Sequence, residues 1–206
     1  MKIQKDRLFW AGCFAVALLL LDLVINWGDW AELLWFCPVA AAVVAIAFFR
    51  RSALLMTVCL ILSVPTQLPW VWDFVMYLFG HGMGRTEDLA KCGLDMFWGS
   101  AVFHMSVIPL SLWGVWRLGF HPKALFPAFF GGAGLLTVSF LLTPPASNVN
   151  CVFFSCDTHF LPGGYFEHFI FRSIPMWAVI VPASYFCFRY LFRNRLYTEV
   201  KDANSA

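Results

Sequence analysis

The sequence predicts an all-α fold, a polytopic membrane helix bundle of about six transmembrane helices with both termini in the cytoplasm. Three observations carry this prediction: the composition, the length of the apolar segments and the distribution of the basic residues. The chain is 61% hydrophobic and 13% charged, whereas soluble domains average about 45–50% and about 25%. Both differences indicate that a bilayer, and not water, surrounds most of the chain.

Six segments reach the length of about 20 apolar residues that a membrane-spanning helix needs: residues 8–27, 31–49, 53–80, 94–117, 124–145 and 165–192. No A-x-A-like site follows the first segment, so we expect a retained span and not a signal peptide. The third contains Pro65 and Pro69, and is expected to be either one tilted, kinked helix or a span followed by a surface turn. Residues 1–197 are assigned to a single transmembrane domain and residues 198–206 to a polar C-terminal tail.

Basic residues fix the predicted orientation. Eleven of the 14 Lys and Arg residues, all except Arg85, Lys91 and Arg172, flank one side of the six segments. Loops rich in Lys and Arg stay in the cytoplasm. We therefore expect an even number of spans and a multi-pass protein of a bacterial inner membrane.

Polar residues gather on the opposite, outer side. Asp22 and Asn26 lie one turn apart near the end of the first segment. A second group occupies the outer ends of the third and sixth segments, and we expect it to bind a ligand: Asp73, Tyr77, His81, His168 and Arg172. A charge in hydrocarbon costs roughly 2.5 kcal/mol or more, so Asp73 and Arg172 are expected to pair. This one-sided distribution predicts a polar pocket that opens to the outer face.

His104 is the most deeply placed ionisable residue in this prediction. It lies ten residues into its segment, or roughly 15 Å along a helix. A neutral histidine at that depth either hydrogen-bonds a neighbouring helix, acts as a general base or ligates a metal or haem. Ser100, one turn earlier, is a candidate partner.

Two short patterns in the last outer loop carry further predictions. Asn148 and Asn150 follow Pro144-Pro145, where their side chains either satisfy the backbone of a turn, hold a polar head group or form part of an oxyanion hole. Cys151 and Cys156 are expected to form a disulfide if the loop faces an oxidising compartment. A reactive thiol at Cys151 is the alternative.

The stretch from His104 to Asn150 resembles a known group of proteins. Its pattern is Phe103-His104, Pro109, Trp116-Arg117, Gly119-Phe120-His121-Pro122 and a terminal Asn148-Val149-Asn150. It resembles uncharacterised bacterial multi-pass proteins with FH-x4-P and NxN motifs and, more distantly, the YwaF-like integral membrane proteins, whose eukaryotic relatives include lipid acyltransferases and hydrolases. The resemblance implies a histidine in a helical bundle that acts on lipid esters, with His104, Asn148 and Asn150 at the characteristic positions.

Three functions remain open on the sequence alone. The first is a membrane enzyme for lipid esters, with His104, Asn148 and Asn150 as catalytic residues and membrane lipids as partners. The second is a redox subunit that binds haem or a metal through His104, His168 or the outer histidines. The third is a non-catalytic subunit with protein partners in the membrane. No cofactor is assigned, no metal-ligand motif is present, and a net charge of +2 with no long basic run argues against nucleic acid.

Overall fold

The computed structural model describes residues 2–82, 85–91, 93–153 and 164–197, without the side chains of residues 2–6, 85, 88 and 95. The predicted polar tail, residues 198–206, lies outside this description. Within the described ranges the fold is helical and contains no β-strand, and Phe120 and Leu196 form an isolated bridge. The predicted all-α fold class is confirmed.

The described chain forms seven helices: α1 (Lys2–Ile25), α2 (Phe36–Arg50), α3 (Ala53–Leu78), α4 (Arg85–Lys91), α5 (Leu94–Leu118), α6 (Leu125–Leu142) and α7 (Tyr165–Leu191). Five of these, α1, α3, α5, α6 and α7, are long and apolar enough to cross a membrane. The third predicted segment is one continuous helix that contains both prolines. In α7, residues Phe169–Ser173 form a π-helical turn.

The second predicted segment, 31–49, differs from the structure. It begins as a 3₁₀ turn, Trp30–Leu34, and continues as α2, which has 15 residues. Fifteen residues rise about 22 Å, less than the roughly 30 Å of a hydrocarbon core. Arg50 ends α2 and is exposed, so the part of the hydrocarbon core that α2 does not cross lies at the outer end of the helix.

Neighbouring helices pack antiparallel, as alternating spans require. Residues later in α3 contact residues earlier in α5. The contacting pairs are Met56 with Gly114, Trp70 with His104 (ring centroids 4.2 Å apart) and Phe74 with Phe97 (5.4 Å). The same reversal joins α6 to α7, where the rings of Phe140 and Phe169 lie 4.5 Å apart.

Both ends of the described chain lie on one face of the bundle, which we call the inner face. Three contacts show this: the rings of Phe9 and Phe49 lie 5.8 Å apart, the His121 N–H donates to Thr57 Oγ1 at 2.9 Å, and the Phe120 N–H donates to the Arg195 carbonyl at 2.8 Å. The opposite, outer face carries the turns after α1, α3 and α6. This arrangement agrees with six alternating crossings, one of them short.

The α6–α7 contact generates a test of the packing. A Cβ atom on Gly132 would overlap the ring of Trp177, whereas Gly131 has open space around it. Gly132→Ala is therefore expected to lower the free energy of unfolding by about 1–3 kcal/mol. Gly131→Ala is the matched control and should be neutral or stabilising by up to ~1 kcal/mol. Thermal unfolding of the detergent-purified protein measures both, and equal stability of the two variants would contradict the packing.

Candidate functional site

A cavity of 590 Å³ opens at the outer end of the bundle between α1, α2, α3 and α5. We call it the acidic compartment, because three carboxylates line it, those of Asp22, Asp29 and Glu32. Its other lining residues are polar or aromatic for the most part, and include Asn26, Trp27, Trp35, Thr66, Trp70, Ser100 and His104. The short α2 helix leaves this space open, because the 3₁₀ turn with Glu32 replaces its outermost turns.

The acidic side chains are only partly satisfied by the protein. The Asn26 Nδ2 atom donates to the Asp22 Oδ1 atom at 3.2 Å, but the Asp22 Oδ2 atom is buried and has no partner. Asp29 caps the 3₁₀ turn, since its Oδ1 atom accepts the Ala31 N–H at 3.0 Å. Burial raises the pKa of Glu32, and the charges of Asp29 and Asp22 act in the same direction.

His104 faces the same compartment from α5. Its ring stacks on Trp70 of α3, with centroids 4.2 Å apart and planes inclined by 25°, so the orientation of the imidazole is fixed. The His104 Nδ1 atom is buried without a hydrogen-bond partner. Ser100 lines the compartment one turn earlier, although no hydrogen bond joins the two side chains. The structure thus contains an oriented, unpaired imidazole beside three carboxylates.

A second cavity of 300 Å³ adjoins the first and lies between α2, α3, α6 and α7. We call it the basic compartment, because Arg172 and His168 line it and none of the described lining residues carries a carboxylate. The two compartments share three lining residues, Trp35, Cys37 and Thr66. Much of the remaining wall is apolar, with Pro65, Pro69, Leu136, Met176, Trp177 and Ile180. We call the two adjoining compartments together the outer cavity, and charged groups of opposite sign line its two parts.

The π-helical turn of α7 carries the polar groups of the basic compartment. Arg172 and Ser173 both lie in this turn and line the cavity, and His168 directly precedes it. π-helical turns inside α-helices occur frequently at functional sites. His168 is 3% exposed, and its Nε2 atom lies 3.3 Å from the Cys151 carbonyl oxygen. Its Nδ1 atom is buried without a partner.

Asn150 has a structural role that explains its position. Its Oδ1 atom accepts the N–H of Phe36, the first residue of α2, at 2.9 Å. Its Nδ2 atom donates to the Leu34 carbonyl at 2.7 Å and to Ser139 Oγ at 2.9 Å. These three hydrogen bonds hold the carboxamide of Asn150 within the fold, and its predicted catalytic role stays a prediction.

Asn148 is committed in a similar way. Its Oδ1 atom accepts the Phe153 N–H at 3.0 Å, and its side chain is buried. Asn148, Asn150 and Cys151 all have positive φ angles, 39°, 56° and 57°, a conformation that asparagine tolerates better than most residues. The turn-stabilising alternative therefore describes both asparagines, and an oxyanion role stays a prediction.

The predicted ion pair of Asp73 with Arg172 is not formed. Asp73 is 1% exposed, and its Oδ2 atom accepts the backbone N–H and the hydroxyl of Thr86 at 2.8 and 2.7 Å. Arg172 instead lines the basic compartment and is exposed. Through these two hydrogen bonds the carboxylate of Asp73 stabilises the first turn of α4.

Two other predicted binding residues also lie away from the outer cavity. Tyr77 packs against Phe97, with ring centroids 5.7 Å apart, and His81 is exposed just after α3. Of the five predicted binding residues, His168 and Arg172 line the cavity. Cys151 is disulfide-bonded, whereas Cys156 lies outside the described residues, so their predicted pairing stays a prediction.

Sequence reasoning did not identify Glu32 or the tryptophans that surround it as site residues. Glu32 falls at the start of the segment predicted as a span, where it is the one charged residue before Arg50. A single charged residue in an otherwise apolar stretch was the feature of the sequence that could have identified Glu32 as a site residue. In the part of the chain that the structure describes, no group of three or more His, Cys, Asp or Glu side chains is arranged to hold a metal ion.

Comparison with protein-family models, with curated proteins and with solved structures finds no match to this chain. The resemblance to YwaF-like proteins therefore stays an expectation, and the site is interpreted from its own geometry.

Removing the Asn150 side chain tests its capping role. Asn150→Ala leaves the Phe36 N–H and the Leu34 carbonyl without this partner, so we expect it to lower the free energy of unfolding by about 2–4 kcal/mol. Ser139→Ala is the control because it removes one of the three bonds, and it should cost about 1 kcal/mol. Chemical or thermal unfolding in detergent measures both. An Asn150→Ala protein as stable as the parent would show that the cap is dispensable.

The raised pKa of Glu32 predicts a pH-dependent effect on stability. The folded chain holds the proton of the Glu32 carboxyl more tightly than the unfolded chain does. The free energy of unfolding therefore falls as the pH rises through and above the ordinary pKa range of a glutamate. Glu32→Gln removes this penalty. We expect the variant to melt higher than the parent at about pH 7 and at the same temperature near pH 4.

The exposed Glu87 of α4 provides the matched control, and Glu87→Gln should leave the melting temperature unchanged at both pH values. A Glu32→Gln variant that melts lower than the parent at neutral pH would contradict the direction of the shift.

Proposed function

We propose that this multi-pass protein binds a polar lipid or a lipid-linked molecule in the outer cavity and acts on its ester bond, by hydrolysis or acyl transfer, in a bacterial inner membrane. The observation that carries the proposal is the His104 imidazole, oriented by Trp70 and unpaired at Nδ1, in a large cavity at the outer end of the bundle. The two supporting arguments concern the walls of the cavity and the chemistry of the imidazole.

The walls suit an amphiphile. The acidic compartment has charged and polar groups, and the basic compartment adds an apolar wall with Leu136, Met176 and Ile180. Met176 is 53% exposed on the outside of α7, where a membrane helix meets lipid. A molecule with its polar part in the cavity therefore has an apolar path beside α7 for its hydrocarbon chain. Binding sites of this kind combine apolar walls with a few placed polar groups.

The imidazole suits general-base catalysis. A neutral histidine accepts a proton from water or from a hydroxyl within hydrogen-bond reach, which contributes typically 10²–10⁴-fold to a rate. Ser100 lines the same compartment one turn away and offers such a hydroxyl. Asn148 and Asn150 form hydrogen bonds within the fold, and their predicted role in orienting the substrate carbonyl stays a prediction. The Arg172 guanidinium of the basic compartment is the cationic group that the cavity offers.

The test is a turnover measurement with the protein in lipid nanodiscs. Release of fatty acid, or its transfer to an added lysolipid, is followed by mass spectrometry for the parent, His104→Gln and His81→Ala. We expect His104→Gln to lose at least about 100-fold in turnover and to retain bound lipid. His81→Ala is the matched control, because His81 is exposed and lies away from the cavity.

Unchanged turnover in His104→Gln would exclude His104 as the base. Bound lipid with no turnover in the parent protein would exclude the enzymatic part of the proposal and leave a lipid-binding protein. A parent protein that binds no lipid would exclude the proposal as a whole.

A further inference from the structure

We infer that the outer cavity recognises a head group that carries both an ammonium and a phosphate, as in a zwitterionic phospholipid, with the ammonium in the acidic compartment and the phosphate in the basic one. This inference rests on the lipid-binding part of the proposed function and names the class of its ligand. A lipid bound in this orientation has its ester bonds on the side of the basic compartment and not beside His104, so it is a bound ligand and not the reacting complex. The inference depends on how the charges are separated, on the aromatic walls and on the unpaired groups of α7.

The charges of the cavity are separated by compartment. Among the described residues, Asp22, Asp29 and Glu32 line one compartment without a Lys or Arg, and Arg172 and His168 line the other without an Asp or Glu. None of the three acids forms an ion pair with a side chain that the structure describes. Like charges brought together out of water disfavour their own ionised forms, so a cation in this compartment would be stabilised by the protein and would stabilise it in turn.

The walls of the acidic compartment favour an organic ammonium. Trp27 and Trp35 line it together with Trp70, whose ring is stacked on His104, and the free faces of tryptophan rings attract ammonium groups through cation–π interactions. A bare metal ion would instead need three or more ligands in a defined geometry, and the described residues contain no such group. Aromatic rings together with carboxylates are the combination that binds primary and quaternary ammonium ions.

The basic compartment provides the complementary anion site. The exposed Arg172 guanidinium has no hydrogen-bond or ion-pair partner among the described side chains, and guanidinium binds phosphate with two parallel hydrogen bonds. His168 adds an independent indication. Its side chain is 3% exposed, yet its Nδ1 atom has no partner. A buried polar atom without a partner is costly, and a ligand bound in this compartment could supply the missing partner.

The shared wall places the two sites side by side. Trp35, Cys37 and Thr66 line both compartments, so one molecule that occupies both passes across these three residues. In an ethanolamine or choline phospholipid, two carbon atoms separate the ammonium nitrogen from the phosphate ester oxygen. The apolar wall beside α7 then lies on the phosphate side, where the acyl chains of such a lipid are attached.

The test compares four lipids in binding to the detergent-purified full chain by native mass spectrometry: phosphatidylethanolamine, phosphatidylcholine, phosphatidylglycerol and a diacyl trimethylammonium lipid without phosphate. We expect the parent to bind a zwitterionic lipid at least about tenfold more tightly than the other two classes. A preference between the first two lipids identifies the ammonium as primary or quaternary, and either result supports the inference.

Charge-removing variants then assign the two ends. Asp22→Asn with Glu32→Gln should abolish the preference over phosphatidylglycerol, and Arg172→Gln should abolish the preference over the trimethylammonium lipid. Glu87→Gln and Arg193→Gln, both outside the cavity, are the matched controls. The melting temperature of each variant establishes that it is folded.

Two results would overturn the inference separately from the proposed function. Equal binding of all four lipids would leave a lipid site and exclude head-group recognition. The same selectivity in Arg172→Gln as in the parent would exclude the phosphate site assigned to Arg172. Absence of any bound lipid would instead contradict the proposed function itself.

Discussion

The N-terminus of α2 imposes the constraint on which the outer half of this protein depends. Backbone N–H and carbonyl groups within a hydrocarbon layer have to find partners inside the protein, because no water reaches them. α2 begins at Phe36, short of the outer boundary, and the Asn150 carboxamide accepts the Phe36 N–H and donates to the Leu34 carbonyl and to Ser139 Oγ. One side chain thereby joins α2, the 3₁₀ turn before it, α6 and the loop after α6.

This junction positions both compartments of the outer cavity. Because α2 begins only at Phe36, the 3₁₀ turn that carries Glu32 lies where further helical turns would otherwise be. The space between α1, α3 and α5 therefore stays open. The ring of Phe36 stacks on Trp177 at 4.8 Å, so α7 is held at the same point and its π-helical turn faces the basic compartment. The shape of the cavity and the placement of its charged groups thus follow from where one short helix begins.

The sequence allowed the helices to be predicted better than the contacts between them. Apolar length and Lys/Arg bias are properties of single segments, and the predicted segment 94–117 is close to the observed Leu94–Leu118. The start of α2 is different, because its cap comes from Asn150, 114 residues away. Asp73 shows the same limit: its depth indicated a buried partner, but nothing in the spacing distinguished Thr86 from Arg172. A pattern along one helix identifies a polar group that needs a partner, and only the packing identifies the partner.

Several buried polar atoms at the outer cavity have no hydrogen-bond partner, whereas two contacts at the inner face are satisfied within the protein. Thr57 Oγ1 accepts the His121 N–H, and the Tyr185 hydroxyl donates to the Pro122 carbonyl at 2.7 Å. By contrast Asp22 Oδ2, His104 Nδ1 and His168 Nδ1 are buried without partners. Each such atom costs about 1–3 kcal/mol, which is large against a total stability of about 5–15 kcal/mol. Ser63, Gln67 and Arg117 also have buried polar atoms without a partner, but the atoms at the cavity are the ones that a ligand bound there could pair with. A ligand that pairs with these atoms would stabilise the folded chain by an amount that grows with the logarithm of its concentration relative to its Kd, so the architecture of the cavity links stability to binding.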